Sequence, residues 1–208
     1  MKSFISNLAK NLLLMELLLQ KIQYHDDQQA FKQFYQLLFF KLYQFAYSYV
    51  HSKENAEEVV NDVFLTLWQK RTTLNTISNI NVYLYVAVKN ASLNCLRRNA
   101  QALPLSMDDL TVHHIHLVPN PESILITHEL QLLIRQAINQ LPPRCKLIFK
   151  LIKEDGLSYK EVASILEISV KTVDAQLYIA LKKLANILQP EWAKNSVSQI
   201  PLSKEKKS

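Results

Sequence analysis

A single glycine, Gly156, limits the folds open to this 208-residue chain more than any other property of the sequence. Phosphate-binding loops, nucleophile elbows and tight hairpin turns all depend on the backbone freedom of glycine. A helical protein can be built without that freedom. Hydrophobic residues make up 49% of the chain, which is enough to form a core. The composition therefore predicts an all-α fold and argues against sites built from glycine-rich loops.

Charge, cysteine content and the N-terminal segment narrow the class of protein. The formal net charge of +6 permits a polyanionic partner but does not establish one. Cys95 and Cys145 fall within helical patterns and at no metal-ligand spacing, so we expect two buried, reduced thiols. The leucine-rich segment 12–19 is interrupted by Glu16 and is too short to span a membrane. We expect a cytoplasmic protein.

Helical periodicity predicts two domains. Apolar residues recur at three- and four-residue steps from Met15 to Arg98, with a helix opening at Asn55 and another at about Val82. Three prolines then interrupt the pattern between residues 99 and 121. We also expect Met15 to be the true start of the protein. The predicted segments are an N-terminal extension (1–14), a first helical domain (15–100), a flexible linker (101–122), a second helical domain (123–189) and a disordered basic tail (190–208).

The capping signals and apolar spacing of residues 156–188 predict a helix-turn-helix. Ser158 and Glu161 have the spacing of a capping box, and a short helix should follow from Tyr159 to Leu166. Glu167 stands in the turn where glycine would relieve a left-handed backbone, at a cost of about 1 kcal/mol. Ser169 should cap a longer second helix. Its predicted buried face is Val173, Leu177, Leu181, Leu184 and Leu188.

The second helix of such a unit lies in the major groove of DNA, with its N-terminal residues near the base edges. Lys171 suits phosphate or guanine, and Thr172 can donate or accept. Gln176 offers the donor and acceptor pair that suits adenine. The predicted outward positions are Lys171, Thr172, Asp174, Ala175, Gln176 and Tyr178. A structural helical hairpin with a solvated face is the alternative interpretation.

From about Met15 to Leu188 the sequence resembles the extracytoplasmic-function group of bacterial RNA polymerase sigma factors. In the first domain the similar strings are AEEVVNDVFLTLW from Ala56 and YLY from Tyr83 onward to Arg98. In the second domain they are LPPRC from Leu141, GLSYKEVA from Gly156 and SVKTV from Ser169. The resemblance implies sigma region 2 in the first domain, sigma region 4 in the second, and a promoter-specificity subunit without catalysis of its own.

The resemblance also implies which residues meet each partner. Promoter DNA would be contacted at two elements and core RNA polymerase at a third surface. An anti-sigma protein, commonly membrane-anchored, would regulate the chain. The implied minus-thirty-five contacts are Ser169, Lys171, Thr172, Ala175 and Gln176; the implied contacts to the melted minus-ten element are Tyr83, Tyr85, Lys89, Asn90, Arg97 and Arg98; the implied polymerase contacts are Glu57, Glu58, Asn61 and Asp62.

Each implied contact has a purely structural alternative. Core packing is the alternative for both tyrosines, and a buried hydrogen bond between helices is the alternative for Asn90. The carboxylates of the polymerase set could be a solvated helix face. Val86 stands where some relatives carry a basic residue, and Ala175 makes the recognition helix less basic than many.

Two other classes of protein compete with this interpretation. A regulator that joins the helix-turn-helix to a sensory helical domain would bind duplex operator DNA tightly without polymerase. A metal protein or an enzyme would have to use His113, His114 and His116, which have no cysteine or paired carboxylate at a useful spacing. We expect no metal, no cofactor and no catalytic residue.

Overall fold

A computed structural model describes the backbone of residues 2–99 and 125–197, and the side chains of residues 13–99 and 132–188. The described backbone consists of helices joined by short turns and contains no strand, which confirms the all-α prediction. The helices are α1 (Lys2–His25), α2 (Gln28–Val50), α3 (Lys53–Gln69), α4 (Ile80–Asn99), α5 (Leu125–Asn139), α6 (Pro143–Lys153), α7 (Tyr159–Leu166) and α8 (Val170–Val197), with a 3-10 helix (Arg71–Thr76) after α3.

The first compact unit contains α1 to α4. Helix α2 packs against α1, α3 and α4, and Phe34 of α2 and Phe64 of α3 meet edge to face at the centre, with ring centroids 6.2 Å apart. Both rings are fully buried, as are Leu67 of α3 and Leu84 of α4. Burying such side chains stabilises the unit by about 1.5–3 kcal/mol each. The periodic apolar positions of the sequence therefore form one core.

The starts of α3 and α4 correct the sequence prediction. Ser52, rather than Asn55, caps α3, because its Oγ accepts a hydrogen bond from the Asn55 amide at 3.2 Å. Helix α4 begins at Ile80 instead of Val82, and the Asn79 side chain accepts from the Val82 amide at 3.1 Å. In both cases the capping side chain lies three residues before the predicted start of the helix.

The second compact unit contains α5, α6, most of α7, and α8. Its core cluster combines α5, α6 and α8 through the buried residues Ala137, Leu141, Cys145, Ala180 and Leu184. The prediction that Leu181 is buried was wrong, since that side chain is 44% exposed and Ala180 takes the inward position. The small Ala180 side chain lets α8 approach its neighbours closely, and this contact sets the rotation of the helix.

The helix-turn-helix is confirmed in the predicted place. The capping box forms in both directions: the Ser158 amide donates to Glu161 Oε2 at 2.7 Å, and the Glu161 amide donates to Ser158 Oγ at 3.3 Å. Helix α7 spans the predicted residues. Glu167 has a φ of 56°, so the non-glycine left-handed turn is also present. Local sequence signals were sufficient here because each contact joins residues close in the chain.

Several predicted segments lie partly or wholly outside the described residues. Helix α8 runs to Val197, so the tail predicted from residue 190 begins as helix. A proline removes one backbone donor and can bend a helix without ending it. The linker (101–122), the histidine string and residues 198–208 fall outside what is described. No described helix combines the length and the apolar run that a membrane span requires.

Candidate nucleic-acid interface

The N-terminus of α8 has a capped and accessible first turn. Ser169 Oγ accepts a hydrogen bond from the Thr172 amide at 3.0 Å and lies 2.8 Å from Thr172 Oγ1. Lys171 and Ala175 are exposed, whereas Thr172 is half-buried. The unsatisfied amides of a helix N-terminus favour anions such as phosphate. This end of α8 therefore has the geometry of a recognition helix in a helix-turn-helix.

Gln176 follows one turn later and has a partner inside the protein. Its side chain is half-buried, and its Oε1 accepts a hydrogen bond from the Cys145 thiol at 3.0 Å. Cys145 lies near the start of α6 and is buried. Nothing in the spacing of the sequence indicated this pairing, because the two residues are 31 positions apart.

Helix α4 presents a second set of polar groups. Asn90 is exposed, so the alternative of a buried hydrogen bond between helices does not describe it. Tyr83 is half-buried, and Arg97 and Arg98 are exposed in the last turn. Arg97 also donates to Asn94 Oδ1 at 3.3 Å. An amide, an accessible ring and two guanidinium groups are suitable for binding an unpaired strand.

Two residues of the predicted minus-ten set are buried. Tyr85 is 3% exposed and its ring meets Phe45 edge to face, with centroids 5.0 Å apart. Lys89 is 6% exposed. The helical repeat turns positions 85 and 89 away from the face that carries Tyr83 and Asn90. For Tyr85 this burial favours the core-packing alternative, whereas a DNA contact by Lys89 stays a prediction.

Helix α3 carries a mainly acidic exposed face. Glu57, Glu58, Asn61 and Asp62 are all exposed. Asn61 is held from α2, since the Tyr35 hydroxyl donates to Asn61 Oδ1 at 2.8 Å. These four polar residues thus lie on one accessible surface of α3, opposite the buried residues of the same helix.

A row of aromatic residues on α2, which was not predicted from the sequence, lies beside this face. Tyr35, Phe39, Tyr43 and Tyr47 stack in succession, with centroid separations of 4.9, 5.8 and 6.3 Å. We call these four residues the α2 aromatic row. Burial, followed by the charge of Glu57, raises the pKa of Tyr35. The four-residue spacing was the available signal, because it places side chains on one helix face.

A metal site finds no support in the described residues. Among them, no group of three or more His, Cys, Asp or Glu side chains is placed to hold a metal ion. His113, His114 and His116 lie within the segment that is not described.

Comparisons with known proteins give both units a family. Family models described as "Sigma-70 region 2" and "Sigma-70, region 4" match residues 34–102 and 131–184. The first match lies in the first unit, the second lies mainly in the second unit, and together they span more than half of the chain.

The curated relatives carry related names. The ECF RNA polymerase sigma-E factor of Escherichia coli K12 is 25% identical over 182 residues, covering 84% of this chain and 94% of the relative. The RNA polymerase sigma-H factor of Pseudomonas aeruginosa is 24% identical over 151 residues, covering 68% and 77%.

A solved structure shares the fold. The sigma factor RpoE of Bartonella quintana, crystallised with the anti-sigma factor NepR, aligns with a TM-score of 0.54 and 24% identity. The alignment covers 77% of this chain and 98% of that one. From its family matches and its relatives, the chain belongs to the sigma-70 family of RNA polymerase sigma factors, in the extracytoplasmic-function group, and directs the polymerase to promoters.

Proposed function

We propose that three separate surfaces of this sigma factor divide the work of promoter recognition. The first turn of α8 reads the duplex minus-thirty-five element, α4 holds the melted minus-ten element, and α3 docks on the largest subunit of core polymerase. The observation that carries the proposal is the capped, exposed first turn of α8 within a helix-turn-helix. The partners of these surfaces are found in the cytoplasm, which is the proposed location of the chain.

The contacts of α8 with the duplex follow from its accessible groups. Lys171 is exposed beside the helix N-terminus, where phosphate or a guanine edge can be bound. Thr172 and Gln176 lie at the edge of the exposed face. Ala175 is exposed and offers apolar contact to a thymine methyl group. Ser169 acts first as the helix cap and can reach a phosphate only with its remaining hydrogen-bonding capacity.

The contacts of α4 suit an unpaired strand. A base removed from the stack needs a polar group for its edge and a flat or apolar wall. Exposed Asn90 supplies the polar group and half-buried Tyr83 supplies the wall. Arg97 and Arg98 neutralise phosphates at the end of the helix. The mechanism requires no catalytic residue, because the polymerase forms the RNA bonds.

The acidic face of α3 suits a basic docking surface on the polymerase. Glu57, Glu58 and Asp62 are accessible carboxylates, and such charges steer association and select partners. The α2 aromatic row supplies apolar area beside them. Mixed aromatic and polar surfaces of this kind are typical of interface cores and their rims.

Sequestration by an anti-sigma protein is the proposed regulation. The related sigma factor from Bartonella quintana was crystallised with the anti-sigma factor NepR. A protein that covered the acidic face of α3 would compete directly with polymerase. Co-purification of the chain from its host, with and without an excess of added core polymerase, tests whether the two partners exclude each other.

Runoff transcription with core polymerase is the decisive experiment for the proposed function. We expect initiation at defined promoters only when the chain is present, and weak binding of promoter DNA by the free chain. Tight binding of duplex operator without polymerase would instead support a stand-alone regulator, and the proposal would fail.

A charge-reversal variant tests the docking surface separately. Glu58→Lys with Asp62→Lys should weaken binding to core polymerase at least about tenfold, because like charges would then meet. Glu154→Lys is the control, since it reverses an exposed carboxylate at the end of α6, in the second unit. Equal affinity of both variants would remove α3 from the proposed interface.

A further inference from the structure

The pairing of Gln176 with Cys145 has a consequence for base recognition. Both residues belong to the second unit, and the thiol of Cys145 donates to Gln176 Oε1 at 3.0 Å. Cys145 is 3% exposed and belongs to the cluster that also contains Ala180, one turn after Gln176. The thiol therefore occupies a fixed position, and the amide that it holds lies at the edge of the exposed face of α8.

A glutamine amide has one oxygen acceptor and one nitrogen that carries two donor hydrogens. Bidentate binding of adenine needs both ends, because the oxygen accepts from N6 and the nitrogen donates to N7. The two ends of a planar amide point in diverging directions. The oxygen of Gln176 is hydrogen-bonded to Cys145 of α6, so we expect the nitrogen to be the end that faces away from the core.

We propose that Cys145 is a positioning residue that holds the Gln176 amide so that its N–H donors face the minus-thirty-five element. Gln176 then selects a base edge that carries an acceptor, such as O6 or N7 of guanine or O4 of thymine, and does not bind adenine in the bidentate manner. The inference rests on the proposed contact of Gln176 with duplex DNA and names the base chemistry that this contact selects.

The state of the thiol is consistent with its role as a donor. Burial raises the pKa of Cys145, so the sulfur keeps its proton at neutral pH. A deprotonated thiolate could not donate to Oε1, and it would attract the amide nitrogen instead. The arrangement therefore depends on a neutral cysteine whose hydrogen points at the glutamine.

The test measures base preference with holoenzyme on a set of promoters in which each minus-thirty-five base pair is changed in turn. Gln176→Ala should abolish the preference at one position, and that preference should be for guanine or thymine. Cys145→Ala should lower the same preference about fivefold or more, because the released amide can rotate. Cys145→Ser retains a donor and should restore the preference.

Two further variants keep the test independent of folding. Gln176→Glu leaves the core unchanged and still accepts from the thiol, but it presents no donor, so selection should move toward the N4 donor of cytosine. Cys95→Ala removes the other buried thiol, in the first unit, and should leave minus-thirty-five preference unchanged.

The outcomes separate the inference from the proposed function. If Gln176→Ala leaves every base preference unchanged, the proposed contact with DNA fails. If Gln176→Ala does alter a preference but Cys145→Ala behaves like the original chain, the positioning role is overturned while the contact stands. A preference for adenine that depends on both its N6 amino group and its N7 also overturns the inference.

Discussion

Ser169 caps α8, and its replacement should destabilise the recognition helix by a predictable amount. Ser169→Ala removes the acceptor of the Thr172 amide, which is 3.0 Å from Oγ. Removal of a serine cap costs about 1 kcal/mol, within a range of about 0.5–2 kcal/mol. At 25 °C this is roughly a fivefold increase in the opening equilibrium of the first turns of α8.

Native-state hydrogen exchange of the backbone amides from Thr172 to Leu177 measures this opening directly. Ser164→Ala is the matched control, because it makes the same chemical change at an exposed position inside α7 and slightly favours helix. We expect faster exchange in α8 for Ser169→Ala and unchanged or slower exchange in α7 for the control. Equal exchange in both variants would refute the capping argument.

Ser169→Asp separates capping from DNA binding. Aspartate caps a helix as well as serine does, and its charge is favourable at a helix N-terminus. The same charge repels phosphate, so holoenzyme should bind promoter DNA more weakly although α8 keeps its stability. Full promoter affinity for Ser169→Asp would show that this turn does not approach the DNA backbone.

Three further predictions test other elements. Replacing Arg97 and Arg98 by Ala should reduce the salt dependence of promoter binding by holoenzyme. The slope of log affinity against log salt concentration should fall in magnitude by about 0.7 for each single-strand phosphate that is no longer neutralised. An unchanged slope would exclude phosphate binding by these two residues. Tyr35→Phe removes the hydrogen bond to Asn61, which contributes about 0.5 kcal/mol. In a titration against labelled core enzyme, this variant should therefore bind core polymerase about twofold more weakly. His51 has a φ of 54° at the end of α2. Because glycine adopts this left-handed backbone without strain, His51→Gly should have a free energy of unfolding about 1 kcal/mol higher than His51→Ala in calorimetry. Equal values for the two variants would contradict the presence of backbone strain at this position.

Local sequence signals predicted those features whose contacts join near neighbours in the chain. The capping box of α7, the span of that helix and the left-handed Glu167 all follow from residues within a few positions of one another. The spacing of the acidic residues on α3 was compatible with a solvated helix face, and their side chains are exposed, because a helix displays its positions regularly even where its start is shifted by a few residues. The resemblance to sigma factors added the order of the two units.

Helix rotation was the property that periodicity predicted least well. Tyr83 and Tyr85 have the same chemistry, and only the packing of α4 against α2 decides that Tyr85 enters the core beside Phe45. On α8, Ala180 instead of Leu181 faces inward because a small side chain permits close approach. Hydrophobicity alone favours the leucine, so the pattern predicted the wrong face at that position.

Composition and local motifs were enough to establish that this chain is helical, where its helix-turn-helix lies and which surfaces can carry charge. Those properties depend on residue content and on contacts within a single turn of helix. The orientation of Gln176, whose oxygen faces Cys145, could be established only from the packed helices. The two residues are 31 positions apart in the chain and lie on different helices. They meet only because each helix is rotated by the core that packs behind it.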